Sequence, residues 1–166
     1  MKKVLITGGL GYIGMELAKI YSGLNQSNDV TVIDNQFYSS RVNQLKIWGI
    51  KFQQLDILDK NHMENLLSDF DIIYHLAGIT SVPQTSRQSD QQMNTKIRRA
   101  GVEGTKNIIK YSNENAKIIF PSTHVVSEGL TKVKKNLDET TDPKPILEYS
   151  KSKFESEKDI IHSDKN

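Results

Sequence analysis

No cysteine occurs among the 166 residues, so disulfides, thiolate metal sites and a cysteine nucleophile are all excluded. A charge excess is missing as well. The 22 Lys and Arg against 20 Asp and Glu leave a formal +2, too weak a field to argue for nucleic acid or a membrane surface as partner. Nor is there a long apolar run: after Met1-Lys2-Lys3 the stretch Val4 to Ile6 meets Gly8-Gly9 at once, too short for the apolar region of a signal peptide. No segment has the length to span a bilayer, and the cytoplasm is the expected location. Internal repeats and low-complexity linkers are absent too. A chain of this length buries one respectable core, so a single domain over residues 1–166 is expected.

What is present is an alternation. Short apolar runs rich in Val, Ile, Tyr or Phe recur at Lys3–Thr7, Val30–Ile33, Lys51–Gln54, Asp71–Tyr74 and Lys117–Phe120, and each reads as a buried strand. Between them lie helix-compatible stretches at Gly11–Ser22, Ser39–Trp48, Lys60–Ser68 and Ser89–Ser112, with a last one from about Leu147. In the long stretch Ile97, Gly101, Gly104 and Ile108 share one stripe, so that helix is expected to lie close against a sheet. Glu128 to Leu147, with Lys132, Lys134, Lys135, Asp138, Glu139 and two prolines, reads as a loop. Strand, helix, strand with right-handed crossovers gives an α/β fold, a Rossmann-type doubly wound parallel sheet with about five strands present.

The first strand runs into Thr7-Gly8-Gly9-Leu10-Gly11-Tyr12-Ile13-Gly14 and a helix follows. At such a turn the backbone approaches a pyrophosphate and the helix N-terminus points free N–H groups at the anion, which side chains at Gly8, Gly11 and Gly14 would obstruct. Twenty residues after Gly14 comes Asp34, at the end of the second strand, where a carboxylate accepts bonds from ribose hydroxyls and repels a 2′-phosphate. That pattern favours NAD over NADP. Asp56-Ile57 and His75-Leu76-Ala77-Gly78 follow the third and fourth strands at the same carboxyl edge; His75 itself, with no second ligand or nucleophile near it in sequence, reads as structural.

Tyr149 and Lys153 stand four apart, so on a helix they share a face and the ammonium can sit near the phenol. A phenol is a poor base at neutral pH, and a neighbouring positive charge favours its ionised form. Thr123, just beyond the fifth strand, is the candidate to hold a substrate oxygen, with Ser122 as its alternate; His124 reads as a loop or packing residue.

In this order the residues resemble the extended short-chain dehydrogenase/reductase family, which includes UDP-glucose 4-epimerases and dTDP-glucose dehydratases. Thr7 to Gly14, with Tyr12 and Ile13 inside it, is similar to the family's TGGxGxxG turn, Asp34-Asn35 to its ribose-binding pair, Asp56-Ile57 to its adenine contact, and His75-Leu76-Ala77-Gly78 to its signature after strand four. Val82 and Thr85 follow at similar spacing, and Gly101-Val102-Glu103-Gly104-Thr105-Lys106-Asn107 is similar to its NVxGTxN segment. Thr123, Tyr149 and Lys153 match its catalytic Ser/Thr, Tyr and Lys. The resemblance implies a tightly held NAD that takes a hydride from a sugar carbon while Tyr149 takes the hydroxyl proton. It implies a nucleotide-sugar substrate for the full-length form and allows for a homodimer, with no resident metal. The sequence departs from the pattern at Gly101, where the family has Asn, and at Val126-Ser127-Glu128, where it has VYG. Family members are longer, so the sixth strand and the C-terminal sugar-binding lobe are expected to be missing. Dehydratases place an acid and a base just after the Thr position, whereas His124 and Val125 follow here, which leans toward an epimerase or simple dehydrogenase. Two other readings stay open: an NAD-binding module without turnover, and an NAD(P)H-dependent reductase of a small carbonyl compound.

Overall fold

The structure is a computed structural model and describes residues 1–24, 28–80, 90–131, 136–163 and 165. Five parallel strands form one sheet in the order β3-β2-β1-β4-β5: β1 (Lys2–Thr7), β2 (Asn28–Asp34), β3 (Lys51–Gln54), β4 (Ile72–His75) and β5 (Lys117–Ile119). Among the described residues six α-helices accompany them: α1 (Tyr12–Gly23), α2 (Ser39–Ile47), α3 (Lys60–Leu67), α4 (Gln91–Arg98), α5 (Gly104–Tyr111) and α6 (Glu148–Ile161). The order reverses beside β1. After β3 the chain crosses to the other side of β1 to lay down β4, which opens a crevice at the carboxyl ends of β1 and β4.

Alternation along the strands explains the two layers of helices. In β1, Val4 and Ile6 enter a cluster with Ala18, Val42 and Leu45, while Leu5 enters another with Met63, Leu67, Ile108 and Ile160. The helices α1 and α2 therefore cover one face, and α3, α5 and α6 the other. The third strand departs from the buried reading: it is the sheet edge, and Lys51, Gln53 and Gln54 are exposed. At the opposite edge Ile118 N–H donates to Lys165 O (3.2 Å), so the fifth strand's outer edge is partly paired.

The long helical stretch is continuous from Gln91 to Tyr111 but widens into a π-turn at Arg99–Glu103. Only part of its apolar stripe meets the sheet. Ile108 packs with Leu5 and Ile73, whereas Gly101 faces α6, where a Cβ would come within 3.1 Å of Ser152 Cβ, and Gly104 lies on the Ile57 side chain. Arg98 bonds to Glu148 and Glu155, and Lys106 pairs with Glu155 and Asp159, so a charged seam fixes how α6 sits on this helix. The described part of residues 128–147 is a loop, as the sequence suggests.

Candidate active site

The glycine turn ends β1 at the crevice. Gly8 has φ +63°, and a Cβ on it would lie 2.6 Å from Ala77 Cα, so both conformation and space require glycine. Gly11 N–H donates to Gly8 O (3.0 Å) and closes the turn. Gly14 packs directly on Gly9, where a Cβ would meet Gly9 Cα at 2.5 Å. Gly11 itself is the N-cap of α1 and provides no side-chain cap, and the first turn holds no acidic residue. The N–H groups there are thus open toward an anion, with Tyr12 and Ile13 exposed beside them.

Asp34 sits at the end of β2 next to this turn. Its Oδ2 accepts from Leu10 N–H (3.0 Å) and its Oδ1 from Gln36 N–H (2.9 Å), so the carboxylate braces the turn. Lone pairs remain for a ribose hydroxyl. Arg41 holds the other side of Leu10 through its carbonyl and stacks its guanidinium 5.2 Å from the Tyr38 ring centroid. Asn35 donates to Asp56 Oδ2 (3.3 Å), which ties the ends of β2 and β3 together. Ile57 turns its side chain into the core beneath Gly104 and offers its carbonyl to Asn107 Nδ2 (2.9 Å), so its side chain is not part of the crevice wall.

Leu76, Ala77 and Gly78 leave β4 along the crevice and line a cleft together with Phe120, Tyr149 and Lys153. Tyr149 and Lys153 come from consecutive turns of α6. The Lys153 ammonium donates to Pro121 O (3.1 Å) and lies 4.2 Å from the Phe120 ring centroid, and burial lowers its pKa. The Tyr149 hydroxyl has no hydrogen-bond partner among the described residues and is free to meet a ligand. Thr123 is not among the residues that line this cleft; it is the N-cap of a short 3₁₀ helix, His124–Ser127. Its Oγ1 accepts from Val125 N–H (3.4 Å), which leaves the hydroxyl proton to donate. Ser122, the alternate, is committed elsewhere: it donates to Glu157 Oε2 (2.5 Å) and fastens α6 to the end of β5. His124 is exposed on the 3₁₀ helix. Val82 and Thr85 lie outside the described residues.

His75 is structural, and its hydrogen bonds fix its tautomer. Thr105 Oγ1 donates to Gly101 O, so at His75 Nε2 (2.9 Å) it accepts, and Nε2 carries the proton. Nδ1 is then the acceptor for the Thr7 hydroxyl (2.9 Å), while Thr7 Oγ1 accepts Ala77 N–H (3.2 Å). Burial, reinforced by the charge of Lys153, pushes the His75 pKa down to about 3. A neutral ring thus joins the end of β1, the start of the Leu76–Gly78 wall and the π-turn under α6. Thr7 and His75 are register partners across β1 and β4, so strand order would have exposed half of this chain of bonds; Thr105 stands in the segment similar to NVxGTxN, which does not by itself point to His75.

A family model described as the 3-beta hydroxysteroid dehydrogenase/isomerase family matches residues 5–166. Among curated relatives, the UDP-N-acetyl-alpha-D-glucosaminuronate decarboxylase of Bacillus cytotoxicus is 35% identical over 128 residues, which cover 75% of this chain and 37% of that protein. The solved UDP-Glc/GlcNAc 4-epimerase of Campylobacter jejuni is similar with a TM-score of 0.82 at 26% identity, covering 98% of this chain and 49% of its own. The UDP-glucuronic acid 4-epimerase of Bacillus cereus, solved as a tyrosine-to-phenylalanine variant in complex with UDP-4-deoxy-4-fluoro-glucuronic acid and NAD, gives a TM-score of 0.83 at 23% identity, covering 99% and 52%. The chain thus spans about half the length, or less, of the relatives it matches.

Proposed function

Because the chain belongs to the 3-beta hydroxysteroid dehydrogenase/isomerase family, and with it to the NAD-dependent epimerase/dehydratase enzymes, we propose that it forms the cofactor half of an oxidoreductase acting on a nucleotide sugar. The observation that carries this is the shared cleft: the wall that leaves the cofactor crevice, Leu76-Ala77-Gly78, is also the wall facing Tyr149 and Lys153. NAD fits the residues present, since a cradle free of side chains at Gly11 and an uncapped helix N-terminus suit a pyrophosphate. When bound, it supplies the hydride acceptor. The nucleotide-sugar class follows the curated relatives, among them a UDP-sugar decarboxylase and a CDP-paratose 2-epimerase.

The chain's own residues do the rest. The α1 N-terminus holds the pyrophosphate, and Asp34 the ribose hydroxyls, where its charge opposes a 2′-phosphate. Tyr149 Oη takes the proton of the sugar hydroxyl, Lys153 places its positive charge one helical turn away on the same cleft wall, and Thr123 donates its free hydroxyl proton to the substrate oxygen. Hydrocarbon from Leu76, Ile79, Ile97 and Phe120 excludes water from the reacting centre.

The test uses the gene's full translation product, NAD and a panel of UDP-, dTDP- and CDP-sugars, with reduced nicotinamide and altered sugar as readouts. Tyr149→Phe is expected to lower turnover by about 100-fold or more with NAD affinity nearly intact, because only the proton-accepting oxygen is lost. Parental turnover in that variant would remove Tyr149 from the mechanism.

A further inference from the structure

We propose that Glu128 and Gly129 form a clip that sets where Tyr149 stands relative to Thr123, which makes Glu128 a positioning residue for the reaction proposed above. The inference rests on that reading for its purpose, but not for its geometry. Tyr149 is the second residue of α6, at the end of a helix most prone to fray, and the N-cap there is Leu147, which has no side chain able to cap. The cap comes from another part of the chain. One oxygen of Glu128, Oε1, accepts from Ile146 N–H (2.8 Å), Leu147 N–H (2.7 Å) and the hydroxyl of buried Ser150, whose proton is shared with Leu147 O. A carboxylate at this position also complements the positive end of the helix.

Gly129 makes the approach feasible. Its N–H donates to Lys144 O (2.9 Å), and a Cβ on it would stand 2.5 Å from that oxygen and 3.0 Å from Ile146 Cγ1. The loop before α6 is thus gripped at Lys144, Ile146 and Leu147 by two consecutive residues. Those residues are tied to Thr123 as well. Thr123 is the N-cap of the 3₁₀ helix His124–Ser127 and Glu128 is its C-cap, with Val126 N–H on Thr123 O (3.4 Å) and Glu128 N–H on Val125 O (3.1 Å). One short hydrogen-bonded turn therefore carries Thr123 at one end and the anchor of the Tyr149 helix at the other. Desolvation pushes the Glu128 pKa up, but the bonds from Ser150, Leu147 and Ile146, with the charge of Lys151, bring it below the usual carboxylate value. The family pattern VYG offers no carboxylate here, so the clip is a property of Val126-Ser127-Glu128 in this sequence.

The experiment labels the chain with 3-fluorotyrosine and reads the fluorine resonance of Tyr149, assigned by its loss in Tyr149→Phe; the other five tyrosines report on the fold. In Glu128→Ala the Tyr149 resonance is expected to shift or broaden while those of Tyr21 and Tyr74, under the opposite sheet face, stay in place. Glu128→Gln, which keeps an acceptor oxygen, should restore most of the parental signal. If Glu128→Ala disturbs all the tyrosines, Glu128→Asp takes its place, since the shorter side chain withdraws the carboxylate without emptying the site, and the Tyr149 resonance alone should move. A Tyr149 resonance unchanged in a folded Glu128→Ala or Glu128→Asp chain overturns the clip. In the full translation product Glu128→Ala should lower kcat about tenfold at little change in KM for NAD. An unchanged kcat beside a displaced Tyr149 resonance overturns the positioning role. The two readings fail separately: parental turnover in Tyr149→Phe refutes the proposed chemistry, whereas the fluorine signal refutes the clip.

Discussion

Gly11→Ala separates folding from ligand approach at the glycine turn. A Cβ on Gly11 would meet a single neighbouring atom, Gly8 O at 3.1 Å, and the residue is exposed with an ordinary φ of −71°. Replacing Gly by Ala at an N-cap costs about 0.5–1 kcal/mol, and the stiffer unfolded chain returns about 0.4–1 kcal/mol, so the net change in stability stays within about 1 kcal/mol. Gly14→Ala is the contrast. Its Cβ would stand 2.5 Å from Gly9 Cα and 2.6 Å from Gly9 O, backbone atoms that cannot swing aside. Overpacking of this kind costs about 1–3 kcal/mol, or roughly 3–10 °C in Tm for a chain of this size. The affinities should run differently. A methyl on Gly11 stands where the pyrophosphate reaches the first N–H groups of α1, and losing one charge-assisted hydrogen bond there weakens NAD by about 10- to 100-fold. Urea unfolding gives the stabilities and calorimetry the affinities. A Gly11→Ala chain with parental stability and parental NAD affinity would reduce the turn to a structural corner and refute the cofactor assignment.

Three further outcomes follow from the site. The folded protein keeps His75 neutral down to about 3, while the unfolded chain protonates it near 6.5; the resulting stability is complete above about 6.5 and is lost as pH falls toward 3. Melting curves of the parent should therefore drop more steeply than those of His75→Asn across that window, and parallel curves would contradict the buried neutral ring. Asp34→Ala should narrow the preference for NAD over NADP in calorimetry and, because Leu10 N–H loses its acceptor, lower stability by about 1 kcal/mol; an unchanged preference removes Asp34 from the ribose site. Ser122→Ala should cost about 0.5–1.5 kcal/mol in urea unfolding through the lost Glu157 bond and leave NAD affinity alone, and an unchanged stability would remove Ser122 from the fastening of α6 to the end of β5.

The five strands and the glycine turn are legible in the sequence because both depend on local features: apolar runs of strand length, and glycines where backbone meets backbone. Less legible is whatever depends on long-range pairing. Lys51–Gln54 reads as a buried strand by its length, yet it lies at the sheet edge, a matter of strand order. The stripe through Gly101 predicts a flat partner, but the π-turn rotates that segment onto α6, where the hydroxyls of Thr105 and Ser156 take up the Gly101 carbonyl. Tyr149 and Lys153 are found by their spacing, whereas Glu128, which caps their helix, is distant in sequence: the departure of Val126-Ser127-Glu128 from VYG marks the position but not the contact it makes.

Titration of the purified chain with NAD and NADP by calorimetry bears most directly on the central claim. Saturable binding of NAD, with NADP clearly weaker, is the expected result, because the α1 N-terminus carries no side-chain cap and the Asp34 carboxylate lies beside the turn, where the proposed site puts the ribose. Equal or tighter binding of NADP would contradict the role given to Asp34, and binding of neither would leave a Rossmann-type fold without the cofactor on which the proposed chemistry depends.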